Sequence, residues 1–153
     1  MPAMSKIVSY ILFIGFVVGA GLIAGVTNMP GEWYQTLAKP FFNPPSWIFG
    51  PVWTTLYVMI GVAGARIWQR APKSAAMQLW FAQMAFNLMW SPAFFGLQNP
   101  ELALAVIAGM LVTIVAFMVK AKPIDGISTL LFVPYLAWVA FASVLNLSIA
   151  WLN

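Results

Sequence analysis

The sequence contains no cysteine and no histidine. The first absence excludes disulfides and thiolate chemistry; the second removes the commonest metal ligand and the commonest general base. Acidic residues are scarce too. Glu32, Glu101 and Asp125 are the only ones, and each falls in or beside a connection rather than inside an apolar run. They supply no carboxylate cluster for a metal ion or a proton relay, so neither a metal site nor a conventional catalytic set is expected. Charged residues make up 7% of the 153 positions, where a soluble domain carries about a quarter. The net charge of +4 is too sparse and too dispersed to address nucleic acid.

What fills the space is apolar: 63% of the residues are hydrophobic and the mean hydropathy is +0.91. A chain of this composition has lipid as its solvent, so the expected class is an integral membrane protein with one all-α domain over residues 1–153. Five runs are long enough to cross the hydrocarbon core, at about 7–26, 47–69, 75–97, 101–119 and 127–151. They predict a bundle of five transmembrane helices. Pro92 and Pro134 fall inside two of them and predict bends, whereas Pro51 and Pro100 fall near helix starts, where proline is tolerated. In the first run Gly15/Gly19 and Gly21/Gly25 are small-xxx-small pairs, which suit close helix approach within the bundle or at a subunit interface. The fourth run is aliphatic and carries no site residue.

Five crossings put the termini on opposite sides. Lys6, Arg66, Arg70, Lys73, Lys120 and Lys122 then share one side, and Lys39 alone lies on the other. Basic residues favour the cytoplasmic face, so the N-terminus is expected in the cytoplasm and the C-terminus outside.

The first connection, residues 27–46, is long, rich in proline and aromatic. Pro40, Pro44 and Pro45 stiffen it, and a short helical piece is predicted at about 32–38, ended by Lys39-Pro40. Flat apolar rings with polar tips suit the border between hydrocarbon and water. The segment is therefore read as a lid over a membrane-embedded cavity, with Trp33 and Tyr34 facing it.

Three of the runs carry rings and amides at helical spacing. Trp53, Tyr57, Gly61 and Ala65 recur every fourth residue; Trp80, Gln83, Asn87, Trp90 and Phe94 form a second stripe, and Tyr135, Trp138, Ala142 and Asn146 a third. An Asn or Gln in hydrocarbon is costly without a partner. If the stripes converge, they line a pocket for a large planar molecule with polar edges, such as a tetrapyrrole, a heterocycle or a sterol. The same stripes also suit plain core packing with amides as glue between helices. Periodicity leaves both readings open.

The motifs carry a resemblance over about residues 10–150. Trp33-Tyr34, Lys39-Pro40, Asn43-Pro44-Pro45 and Trp53-x-x-x-Tyr57 are followed by Asn87-x-x-Trp90-Ser91-Pro92-x-Phe94-Phe95. Val133-Pro134-Tyr135-x-x-Trp138 and Phe141-Ala142-x-x-x-Asn146 complete the set. In order and spacing the chain resembles the translocator protein family, also called tryptophan-rich sensory proteins. The resemblance implies a five-helix bundle, often a homodimer, that binds porphyrins under the first loop. It implies a cavity lined by Trp33, Tyr34, Trp53, Tyr57, Asn87, Trp90, Tyr135, Trp138 and Ala142, to which the stripes add Gln83 and Asn146.

The expected function is a membrane receptor or sensor for tetrapyrroles that influences their levels. Porphyrin is its ligand rather than a cofactor, and no cofactor is expected. Two alternatives stand beside it. One is a transporter of the same molecules, against which the lack of an internal repeat weighs. The other is light-dependent porphyrin breakdown, which the resemblance associates with Trp33 and Trp138. At the end of the last helix the chain departs from animal members. The stretch Leu145–Asn153 has neither the tyrosine nor the basic residue of their sterol-recognition pattern. That argues against sterol binding and for a bacterial-type role.

Overall fold

A computed structural model describes residues 3–153, and its regular elements are all helical. Helix α1 (Ala3–Thr27) takes up the first apolar run. It ends where side chains begin to compete for its last carbonyls. Thr27 Oγ1 donates to Ile23 O at 2.7 Å and Asn28 Nδ2 to Ala24 O at 2.9 Å. The lid follows with α2 (Glu32–Thr36), which is shorter than the expected 32–38. Asn153 explains the early stop: its side chain accepts from Ala38 N at 3.1 Å and donates to Ala38 O at 2.9 Å. Both backbone groups of Ala38 are thus withdrawn from a continuing helix.

A single 3₁₀ turn at Ser46–Ile48 leads into α3 (Phe49–Arg70), with Pro51 in the first turn. Helix α4 (Ala75–Ser91) is capped by Ser74, whose hydroxyl accepts from Met77 N. At Pro92 the expected bend takes the form of a π turn over Pro92–Gly96, with Leu97 N donating to Pro92 O at 2.8 Å. Pro92 has no N–H for the carbonyl four residues back, so the α-helical ladder loses a bond where the wider turn begins. Helix α5 (Pro100–Ala121) starts on its proline, with Asn99 as cap. The fifth run is divided into α6 (Gly126–Leu131) and α7 (Val133–Leu152). The break is at Phe132, two residues before Pro134, because the missing N–H of a proline leaves the preceding turn unpaired.

Among the described residues four helical segments are long and apolar enough to cross a membrane: Ser5–Thr27, Ser46–Arg70, Pro100–Ala121 and Gly126–Leu152. Helix α4 has 17 residues and gains length only by continuing through the π turn. The protein is an integral membrane helix bundle. Helix α1 packs along α3, α4 along α5, and α5 along α7, while α3 and α7 touch only sparsely. Trp80, Met84, Ile114, Phe117, Phe132, Tyr135 and Val139 fill the centre.

The glycines of α1 divide between two roles. Gly21 packs against the Tyr57 ring, whereas Gly15, Gly19 and Gly25 have nothing beyond the space a methyl would fill. The backbones of α1 and α3 come close at Gly61, where an added Cβ would stand 2.7 Å from Ile14 Cα. That neighbour is backbone and cannot swing away. Gly61→Ala is therefore expected to cost about 1–3 kcal/mol, read as an earlier thermal unfolding in detergent.

At the end of the bundle that carries most of the basic residues, a charged pair is turned inward. Arg66 donates from Nε to Asp125 Oδ2 at 2.7 Å and from Nη2 to Oδ1 at 3.1 Å. Asp125 lies in a connection, as its sequence position says, yet its side chain is only 8% exposed. It also caps α6, accepting from Ser128 N and Ser128 Oγ.

Candidate functional site

The aromatic stripes meet in two groups. The inner group centres on Trp53. Its ring lies 5.5 Å from Tyr57, 6.5 Å from Tyr135 and 6.5 Å from Trp138. Four-residue spacing on α3 and three-residue spacing on α7 bring these rings to facing sides. Phe49 and Phe141 flank Trp138 at 5.7 and 5.8 Å. The outer group sits under the lid. Trp33 meets Phe94 at 5.7 Å, Tyr34 meets Phe95 at 5.5 Å, and Trp90 stacks on Phe94 at 5.0 Å. Lys39 Nζ lies 4.4 Å over the Tyr34 ring. Trp33 and Trp138 thus belong to separate groups, and Trp90 packs at the margin of both regions of the core.

The amides tie helices together. Asn87 Nδ2 donates to Tyr135 Oη at 2.8 Å, and that hydroxyl donates to Gln83 Oε1 at 2.8 Å. Gln83 Nε2 passes the chain to Trp80 O, and Trp80 Nε1 donates to Ile60 O. A second chain runs from Trp90 Nε1 to Asn146 Oδ1 at 2.9 Å and from Asn146 Nδ2 to Pro100 O at 2.8 Å. Gln83, Tyr135 and Asn146 are sealed from any probe at 0, 0 and 1% exposure, and their polar groups are spent on these links. Asn87 differs: its amide oxygen has no hydrogen-bond partner among the described residues. Trp33, Tyr34, Trp53, Tyr57, Trp90, Trp138 and Ala142 are half-buried and keep ring or methyl surface uncovered.

Where α3 and α7 diverge, a cavity of about 590 Å³ opens on the outside of the bundle. Pro51, Val52, Thr55, Leu56 and Met59 form one wall and Pro134, Ala137, Trp138 and Phe141 the other. Of the residues expected from sequence, Trp138 alone lines it. Its Nε1 is buried and has no hydrogen-bond partner among the described residues.

The TspO/MBR family model matches residues 11–152. The chain belongs to the TspO/MBR family. It is 39% identical over 154 aligned positions to the tryptophan-rich protein TspO of Chlorobaculum tepidum, covering 97% of this chain and 98% of that protein. It is 39% identical over 144 positions to the tryptophan-rich sensory protein of Cereibacter sphaeroides, with 93 and 91% covered. It is 34% identical over 134 positions to the translocator protein of Homo sapiens, with 82 and 79% covered.

Several ring contacts of this TspO/MBR chain were not singled out from its sequence as site residues: Phe49, Phe94, Phe95 and Phe141. Phe49 stands four residues before Trp53 and Phe141 three after Trp138, so helical spacing held the signal for both. Phe94 and Phe95 both reach the lid because the π turn widens the helix there, which spacing alone does not reveal. The indoles of Trp80 on α4 and Trp138 on α7 also predict a contrast. Trp80→Phe gives up a bond to Ile60 O in a fully buried position, whereas Trp138→Phe removes a donor that has no acceptor. Trp80→Phe is expected to cost at least about 1 kcal/mol more than Trp138→Phe in thermal unfolding.

Proposed function

We propose that this TspO/MBR chain is a membrane receptor for tetrapyrroles, taken up among Trp53, Tyr57, Trp90, Trp138 and Asn87 beneath the lid. One observation carries the reading: Trp53 from α3 meets Trp138 and Tyr135 from α7, beside an Asn87 whose amide oxygen is unpaired. Indole and phenol faces suit the flat macrocycle, and the amide oxygen suits a pyrrole N–H at its edge. Gln83, Tyr135 and Asn146 serve by holding α4, α5 and α7 in register around that space. Relatives carry the names sensory protein and translocator protein, which supports a role in receiving a ligand. The chain is oriented with its basic end and N-terminus in the cytoplasm, which places the lid outside. The outward face of α1 at Gly15 and Gly19 leaves room for a second copy in a homodimer.

Tryptophan fluorescence of the purified protein in detergent tests the reading. Protoporphyrin IX is expected to quench it saturably. Asn87→Ala is expected to weaken binding by about five- to tenfold, the worth of about one hydrogen bond. Quenching that is linear and unsaturable, or identical in Asn87→Ala, overturns the site.

A further inference from the structure

The ring group around Trp53 has two approaches, and they differ in how they are closed. The lid side is fastened: Trp33 and Tyr34 sit on Phe94 and Phe95, and the Asn153 side chain holds both backbone groups of Ala38. The side between α3 and α7 is not. There the cavity walled by Pro51, Thr55 and Met59 on one helix and Ala137, Trp138 and Phe141 on the other faces outward. Both helices belong to segments of membrane-crossing length. The opening therefore looks into hydrocarbon rather than water.

Trp138 belongs both to the outer cavity and to the inner ring group. It lines the outer cavity and also lies 6.5 Å from Trp53 in the inner group. Its Nε1 is the one buried side-chain polar atom without a partner among the described residues. An indole N–H in an apolar setting is costly to leave unpaired, and an acyl chain has no acceptor to offer it along its length. The wall across from it adds little, since the Thr55 hydroxyl donates to Pro51 O within its own helix. The N–H is covered in this conformation, so a planar apolar molecule with an acceptor on its edge can meet the unmet bond only once the indole turns.

Resting on the receptor reading above, we propose that the ligand enters from the bilayer, sideways between α3 and α7, with the Trp138 ring as the gate. The molecule that crosses the outer cavity on its way to Trp53, without resting there, is flat and hydrocarbon-soluble and bears a carbonyl, carboxyl or imine acceptor. It pairs with Trp138 Nε1 while the indole turns to let it pass to Trp53. Access from the aqueous phase under the lid is the minor route.

Stopped-flow mixing tests this in proteoliposomes, using vesicles that already hold protoporphyrin IX in their lipid. Thr55→Phe and Ala137→Phe each put a ring into the outer cavity from a side chain that is exposed and outside the inner group. Each is expected to slow association and dissociation by at least fivefold while leaving the equilibrium affinity unchanged, because a narrowed path hinders both directions equally. Asn153→Ala, which unfastens the lid, is expected to leave both rates as they are. Unchanged rates in both phenylalanine variants overturn the proposal and mean that the cavity holds only acyl chains. Faster binding in Asn153→Ala overturns it in favour of the lid. A change of oligomeric state in the phenylalanine variants, seen by light scattering, overturns it in favour of an interface between copies. The receptor reading fails separately, and visibly, if the unsubstituted protein shows no saturable binding; the entry route then falls with it.

Discussion

Asp125→Ala is expected to lower the unfolding free energy by about 3 kcal/mol, the scale for removing one partner of a mostly buried ion pair. Asp125 receives two bonds from the Arg66 guanidinium and two from Ser128, and Arg70 Nε stands 3.8 Å away. Arg66 in turn donates to Tyr10 Oη on α1 at 3.4 Å. One carboxylate therefore ties α6 to α3 and, through Arg66, to α1. Alanine would leave the guanidinium half-buried without a counter-charge and would uncap α6 as well, a further loss of about 1 kcal/mol or less. Asp125→Asn keeps the cap but not the charge, so it should fall between the two. The Arg66 guanidinium, with help from Ser128, holds the Asp125 carboxyl well below the usual carboxylate range, against the opposing effect of burial. The folded-state value is thus lower than the unfolded one. The pair's contribution is complete above the ordinary range of about 4 and is lost as the pH falls through the folded value. Thermal unfolding in detergent between neutral and acid pH checks both points. The gap between Asp125→Ala and the unsubstituted protein should be full at neutral pH and shrink only in strong acid.

Trp53→Leu is expected to weaken porphyrin binding by about ten- to a hundredfold, or about 1.4–2.8 kcal/mol. Trp53 is the ring that joins α3 to α7, touching Tyr57 on its own helix and Tyr135 and Trp138 across the gap. Leucine keeps the position apolar but removes the flat face against which a macrocycle would lie, and with it the aromatic contact beyond simple burial. The change is best followed through the porphyrin's own absorbance, since the substitution alters tryptophan emission. Trp68→Leu is the matching control: Trp68 lies near the far end of the same helix, is 42% exposed and, among the described rings, meets only Phe13. Equal losses in the two variants would point to non-specific partition of porphyrin into the bundle.

The spans could be read from apolar runs because lipid demands length and low charge, and little else produces such runs. The facing of Trp53, Tyr57, Tyr135 and Trp138 was legible for a related reason: helical spacing fixes a face. It does not fix a partner. Hence the link from Asn87 through Tyr135 to Gln83 stayed invisible, and the sequence left open whether those amides met a ligand or one another. The structure divides them, with Gln83 and Asn146 used up between helices and Asn87 keeping an acceptor. Prolines announced where α4 and the fifth run would break, but not how. Pro92 is followed by a π turn and Pro134 is preceded by a break at Phe132, a difference that the proline alone does not encode. Asp125 is a loop residue by position, and only the folded chain turns it toward Arg66, 59 residues away. The outer cavity had no signal at all, since it arises from two helices diverging rather than from any residue type.

The central claim is that rings from α3 and α7 and the amide of Asn87 form one receiving surface inside the bundle. A structure of the protein with protoporphyrin IX bound tests it most directly. The macrocycle is expected against Trp53 and Trp138, with one edge within hydrogen-bonding distance of Asn87 Oδ1. A macrocycle seated instead on the exposed rings of Phe41, Trp47 or Trp151, with Trp53 and Trp138 still in contact, would contradict it.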